Sequence, residues 1–194
     1  MKKYRTKQRS PIGRLVALIA PLLIVAGLAV IGYSFMMGDP FATSAFFGPD
    51  APKNSTMKLT VPAMQRVDNV PVYDGGMKDE AALHDGALHI NSTGFPWQQG
   101  ANVYIAGHRM GFPGTKSYLV FWDLNALEKG DRIILTDANG TRYTYEVFNK
   151  QIVAPSEFGV TKPVPGKSVV SLQTCTLPNY SDRLIVQAEL KSVA

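Results

Sequence analysis

Cysteine is nearly absent from this 194-residue chain: Cys175 stands alone. With no second thiol, the chain can close no internal disulfide. Histidine is scarce too, present only as His84, His89 and His108. His84 and His89 lie five residues apart, a spacing that suits neither an i,i+4 metal pair nor a common zinc pattern. Both read as structural or solvent-facing residues. The first fourteen residues, MKKYRTKQRSPIGR, contain no acidic side chain, and residues 15–37 contain no charged side chain at all. Internal repeats and low-complexity tracts are absent.

The formal net charge is +5, but six of the twenty basic residues (Lys2, Lys3, Arg5, Lys7, Arg9 and Arg14) lie in that short tail. Fourteen basic residues then face fifteen acidic ones, a net charge of −1 after Arg14. The basic balance is therefore a topology signal and not a nucleic-acid footprint. Residues 15–37, LVALIAPLLIVAGLAVIGYSFMM, would form a helix of about 35 Å, enough to cross a hydrocarbon core of about 30 Å. Pro21 is tolerated better in a membrane helix than in a soluble one. The flanking lysines and arginines predict a cytoplasmic N-terminus and an exported remainder. A cleaved signal peptide is the alternative, with "ATSA" (42–45) as its cleavage site. Its apolar region would normally be only about 7–15 residues long. The orientation is the same in both cases.

Residues 38–58 are rich in Gly, Pro, Ser and Thr and read as an extracellular stalk. Residues 59–194 suffice for one domain with a single core. Short apolar, β-branched runs at 59–64, 70–75, 87–90, 102–108, 131–137, 141–148, 168–175 and 183–190 are separated by turn residues. They predict eight strands in a closed or nearly closed all-β barrel. "DANGT" (137–141) is a hairpin signal, because Asn-Gly suits the positive φ angles of a tight turn. FWDLNALEKG (121–130) has spacing that fits one or two short helical turns.

An exported chain lives where disulfides form, which leaves Cys175 three roles: intermolecular bridge, inert buried hydrophobe or reactive thiol. VVSLQTC places it at a strand end facing the loop TLPNYS (176–181). A thiol attacks as the thiolate and needs a nearby cation or base. His108 ends the strand-like NVYIAGH and also opens into a Gly/Pro-containing loop. Arg183 begins the last strand. It reads either as a solvated strand-start charge or as a donor to a carbonyl oxygen that gains negative charge. Arginine cannot act as a base, since its pKa exceeds about 12. Cysteine, histidine and arginine together form a coherent set of nucleophile, proton carrier and fixed cation.

"AGHR" (106–109), "LQTC" (172–175) and "DRLIVQAEL" (182–190), in that order on expected strand ends, resemble the sortase family of cysteine transpeptidases. FWDLNALEKGDRIILT (121–136) resembles the stretch these enzymes carry after the histidine loop. The resemblance spans roughly residue 59 to the end, and the anchor in front matches as well. It implies an eight-stranded β-barrel with Cys175 as nucleophile, His108 as general acid/base and Arg183 as transition-state donor. It also implies Thr174, Tyr180 and Thr93 as substrate-binding residues. The implied reaction cleaves an LPXTG-type sorting signal between Thr and Gly through a thioester. The acyl group then passes to an amine of the cell-wall precursor (lipid II) or to a pilin lysine. STGFPWQQGANVYIAGHR (92–109) is most similar to class E sortases, which are close to class D and favour LAXTG. Gln173 departs from the family's usual smaller or hydroxylated residue, and the loop from His108 to Phe121 is long. No cofactor is implied, and no acidic calcium site of the class A kind can be placed, so no metal is expected. The implied partners are secreted proteins bearing a sorting signal, the acceptor amine and the lipid bilayer, without nucleic acid. The contrasting reading is a non-catalytic, membrane-anchored envelope β-barrel that binds a ligand. A second contrast is a protease of the same fold that uses water as acceptor.

Overall fold

The computed structural model describes residues 50–194 and, ahead of them, residues 20, 21, 23–30, 32 and 33, which are helical. Among the described residues no helix is long and apolar enough to cross a membrane. Much of the span expected over 15–37, the whole basic tail and nearly all of the stalk before residue 50 lie outside the described residues. The chain divides into two units, Met1–Asp50 and Ala51–Ala194. The site lies in the second.

That unit contains eight strands: β1 (Met57–Thr60), β2 (Val70–Gly75), β3 (Ala87–Ile90), β4 (Asn102–Ala106), β5 (Arg132–Asp137), β6 (Arg142–Val153), β7 (Val169–Cys175) and β8 (Arg183–Val193). They close into a barrel in the order β1-β2-β3-β4-β7-β8-β6-β5, so no sheet edge is left open. Two pairings are parallel, β2 with β3 and β4 with β7. The β2–β3 crossover carries a short helix, α1 (Glu80–Asp85), whose N-cap Asp79 accepts a hydrogen bond from the Ala82 amide.

Side chains alternate across each strand. Val103 and Ile105 of β4, Val170 and Leu172 of β7, and Leu184, Val186 and Ala188 of β8 point inward to the main core. Tyr104 and Ile185 point outward, where they join Leu88 and Ile90 in a second cluster capped by residues of α1 and of the β6–β7 segment. The barrel is therefore apolar on both faces along β3, β4 and β8. This outer cluster matters for the site.

Several boundaries differ from the expectation. The first strand is 57–60, not 59–64, because Pro62 cannot donate to a ladder and the chain turns there. Val61, Met64 and Val67 bond one another through their backbones and bury their side chains. β6 runs on to Val153 past two irregularities in its pairing with β8, and β8 runs to Val193. In the β5–β6 hairpin only Gly140 has a positive φ, 90°, so the turn is longer than a two-residue Asn-Gly turn. Asp137 Oδ1 organises it by accepting the Asn139 and Thr141 amides. The helical signal at 121–130 appears as a 3-10 turn, Leu124–Ala126, with Leu124 and Leu127 buried. α1 was not expected. Its cue was Asp79 before a run of good helix formers, but six residues are too few to show a period.

Candidate active site

The site grows from strand register. In the parallel β4–β7 pair, Ala106 lies beside Gln173. The Gly107 amide donates to the Gln173 carbonyl at 3.0 Å, extending the pairing one step past the strand. His108 and Cys175 are each two residues beyond that matched pair. Neighbouring strands run about 4.8 Å apart, so the two residues leave the sheet side by side. On the other side of β7, the antiparallel ladder pairs Cys175 directly with Arg183. Cys175 shares the outward parity of Gln173, and Arg183 that of Ile185. Three residues separated by up to 75 positions thus reach one end of one sheet face.

Each is fixed locally. Arg183 donates from Nη1 to the carbonyls of Tyr180 and Asp182, both at 3.1 Å. The 176–182 loop is tied by the Thr176 amide to the Asp182 carbonyl at 3.0 Å. His108 accepts at its backbone carbonyl from the Phe121 amide at 2.9 Å. Two glycines make room here. A Cβ at Gly107 would meet the Phe121 ring at 2.6 Å, and one at Gly111 would meet the His108 ring at 2.7 Å. Burial lowers the pKa of His108 below the ordinary imidazole value. Nearby Glu80 opposes this shift and His84 adds to it. Cys175 is a free, half-buried thiol.

A cavity of about 180 Å³ runs away from this point along the outer face, lined by Ile90, Tyr104, Val153, Phe158, Gln173 and Arg183 among others. Its floor joins the outer apolar cluster, and Tyr104 donates its hydroxyl to Gln173 Oε1 at 2.9 Å. Burial raises the Tyr104 pKa far above the ordinary phenol value, so that proton stays on. Its wall is the β6–β7 segment, held down by a buried polar chain. Asn102 Nδ2 donates to the Val160 and Lys162 carbonyls at 2.9 Å each, and Ser171 Oγ donates to Asn102 Oδ1 at 2.8 Å. Tyr104, Val153 and Phe158 carried no expected role. For Tyr104 the signal was available, because it lies two residues before Ala106 on the same face as Cys175.

The three expected substrate contacts fall in different places. Tyr180 is partly exposed on the 176–182 loop, in a left-handed conformation with φ 56°. Thr174 is 1% exposed and faces inward, where its hydroxyl donates to the Gly107 carbonyl at 2.8 Å. It ties the end of β7 to the end of β4. Thr93 is not brought to the Arg183 cavity. Its hydroxyl donates to the Ile90 carbonyl at 2.7 Å and lies 3.2 Å from His89 Nε2, and it lines a separate cavity with Lys162 and Pro163. His89 is fully buried between Asp74 (2.8 Å) and the Gly94 carbonyl (3.0 Å), which is the structural role expected for it.

The arrangement provides a thiol, an imidazole and a guanidinium at the end of a groove lined by both polar and apolar side chains. Sortase A of Streptococcus agalactiae serotype III (strain NEM316) is 34% identical over 125 residues, 63% of this chain and 48% of that protein. The chain spans less than half the length of the curated relatives it matches. Among solved structures, sortase A from Corynebacterium diphtheriae superposes with a TM-score of 0.63 at 27% identity, covering 74% of this chain and 64% of that one. The Group B Streptococcus pilus island 1 sortase C2 superposes with a TM-score of 0.61 at 28% identity, covering 70% and 73%. The sortase domain model matches residues 59–191, and the chain belongs to the sortase family.

Proposed function

We propose that this chain is a membrane-anchored cysteine transpeptidase that joins secreted proteins to an amine of the cell-wall precursor or to a pilin lysine. The observation that carries the reading is the direct pairing of Cys175 with Arg183 beside the strand end that bears His108. His108 takes the Cys175 thiol proton, and the resulting thiolate attacks the Thr carbonyl of the sorting signal while Arg183 stabilises the oxyanion. His108 protonates the departing glycine amine, leaving a thioester on Cys175. It then takes a proton from the incoming amine as that amine expels the thiol. Ile90, Val153 and Phe158 in this groove suit the aliphatic residues that precede the scissile bond, while Thr161, Gln173 and Arg183 offer polar contacts to its backbone.

The class E reading and its LAXTG preference rest on the expected N-terminal anchor, the 92–109 stretch and RLIVQAEL (183–190). The likeness to both sortase A and a pilus sortase C leaves that preference to experiment. Anchoring and orientation rest on the uncharged run at 15–37 and the basic tail. The exposed Leu23, Ile24, Val25, Leu28 and Val30 fit a lipid environment. An anchor holds the enzyme near membrane-borne donors and acceptors, which raises their effective concentration.

The test incubates the full-length chain with LAXTG and LPXTG peptides and a short amine acceptor. Ligated product, with LAXTG preferred, is the expected result. Hydrolysed peptide without ligation would identify a protease instead. No cleavage of either peptide would leave a non-catalytic envelope barrel.

A further inference from the structure

No metal ligand set was expected from the spacing of the histidines. Yet Glu80 and His84, four apart on α1, share one face of that helix. This face meets His108, which arrives from the end of β4. One potential ligand atom from each of the three lies within 4.8 Å of the other two. Two ring nitrogens, His84 Nε2 and His108 Nε2, are shielded from solvent and have no hydrogen-bond partner. Unpartnered buried nitrogens are uncommon and call for a reason.

The cluster is held from both sides. The Ser117 amide donates to the His84 carbonyl at 3.3 Å, and Ser117 Oγ donates to the Leu83 carbonyl. Lys116 pairs with Asp85 at 3.0 Å. Thus α1 is stapled to the loop that carries His108, and the three donors meet without a large backbone movement. Phe112 sets its ring edge-on to both imidazoles, with centroids 5.2 Å from His84 and 6.4 Å from His108, and so forms an apolar wall.

Two imidazoles and one carboxylate form the donor set of a zinc-type site with an open fourth position. Calcium and magnesium prefer all-oxygen shells and are disfavoured here. Donors about 2.1 Å from a tetrahedral ion lie roughly 3.4 Å apart, so modest side-chain rotations would complete the site. We propose that Glu80, His84 and His108 bind a divalent transition-metal ion of the zinc class, and that its binding withdraws His108 from proton transfer. The first half stands on the cluster alone; the second rests on the transpeptidase reading of His108.

The test titrates zinc into the metal-free full-length chain carrying Cys175→Ala, which removes the thiol as a rival ligand, with cobalt absorption as a second readout. One equivalent should bind with a tetrahedral cobalt spectrum, and His84→Ala and Glu80→Gln should each weaken it at least tenfold, with unchanged circular dichroism. Absence of stoichiometric binding, or binding that His84→Ala leaves intact, overturns the site. With Cys175 restored, peptide cleavage is compared with and without zinc. A several-fold loss with zinc, relieved in His84→Ala, supports the regulatory half. Zinc that binds yet leaves turnover unchanged overturns that half. If no cleavage occurs even without zinc, the transpeptidase reading fails, while the zinc and cobalt titrations still decide the metal site.

Discussion

Arg183 shows how one side chain can be both structural and poised. Its Nη1 is occupied by the Tyr180 and Asp182 carbonyls, which fixes the guanidinium beside Cys175 and leaves its other nitrogens for an oxyanion. Removing one such donor costs on the order of 10²–10³ in turnover, so Arg183→Ala should lower kcat by that factor in a peptide-cleavage assay. Unchanged turnover would return Arg183 to a solvated charge. His108 carries a second residue-level consequence. Its pKa is depressed mainly by burial, so it takes a proton only below the ordinary value of about 6.5. An NMR titration of the metal-free protein should find that low midpoint. Glu80→Gln should lower it further, because the Glu80 charge favours the imidazolium. The unfolded chain binds this proton more readily than the folded one. The contribution of His108 to stability therefore falls as pH drops from about 6.5 towards the folded midpoint, and levels off below it.

At the scale of elements, the site depends on strand ends and on a few positions where backbone and ring nearly touch. Gly111 is one, since any Cβ there meets the His108 ring at 2.7 Å. Gly111→Ala should move that ring by a fraction of an ångström to about 1 Å, a displacement that can cost about 10²-fold in rate. The expected signature is a loss of kcat with little change in the melting temperature; equal loss of both would assign the glycine to folding alone. The central elements of the barrel were legible because β3, β4, β5 and β7 are short apolar runs bounded by turn residues. The far half of β6 was not, because NKQIV mixes polar and exposed positions and is held by pairing with β8. The proximity of the strand ends that bear Cys175, His108 and Arg183, the proposed catalytic trio, was legible from their motifs. Thr93 and Thr174 were less so, because sequence position does not reveal which face a hydroxyl turns to or which carbonyl it serves. Glu80 drew no reading and His84 read as structural or solvent-facing, because α1 is too short to show a period and His108 lies across the fold.

The whole molecule combines a closed barrel with a polar tail of one charge sign. In the proposed reaction the extended peptide lies along the outer face of β4, β7 and β8, with the β6–β7 segment as its wall. The six basic residues ahead of the apolar run are the proposed orientation signal. The proposed activity turns on covalent chemistry at Cys175, the lone cysteine. Its most direct test is intact-protein mass spectrometry of the full-length chain after brief exposure to an LAXTG or LPXTG peptide, with no amine acceptor. The predicted result is a mass gain equal to the peptide portion ending in Thr, mapped to Cys175, released by an added amine and absent in Cys175→Ala. No adduct on Cys175, or cleavage by Cys175→Ala equal to that of the natural chain, would contradict it.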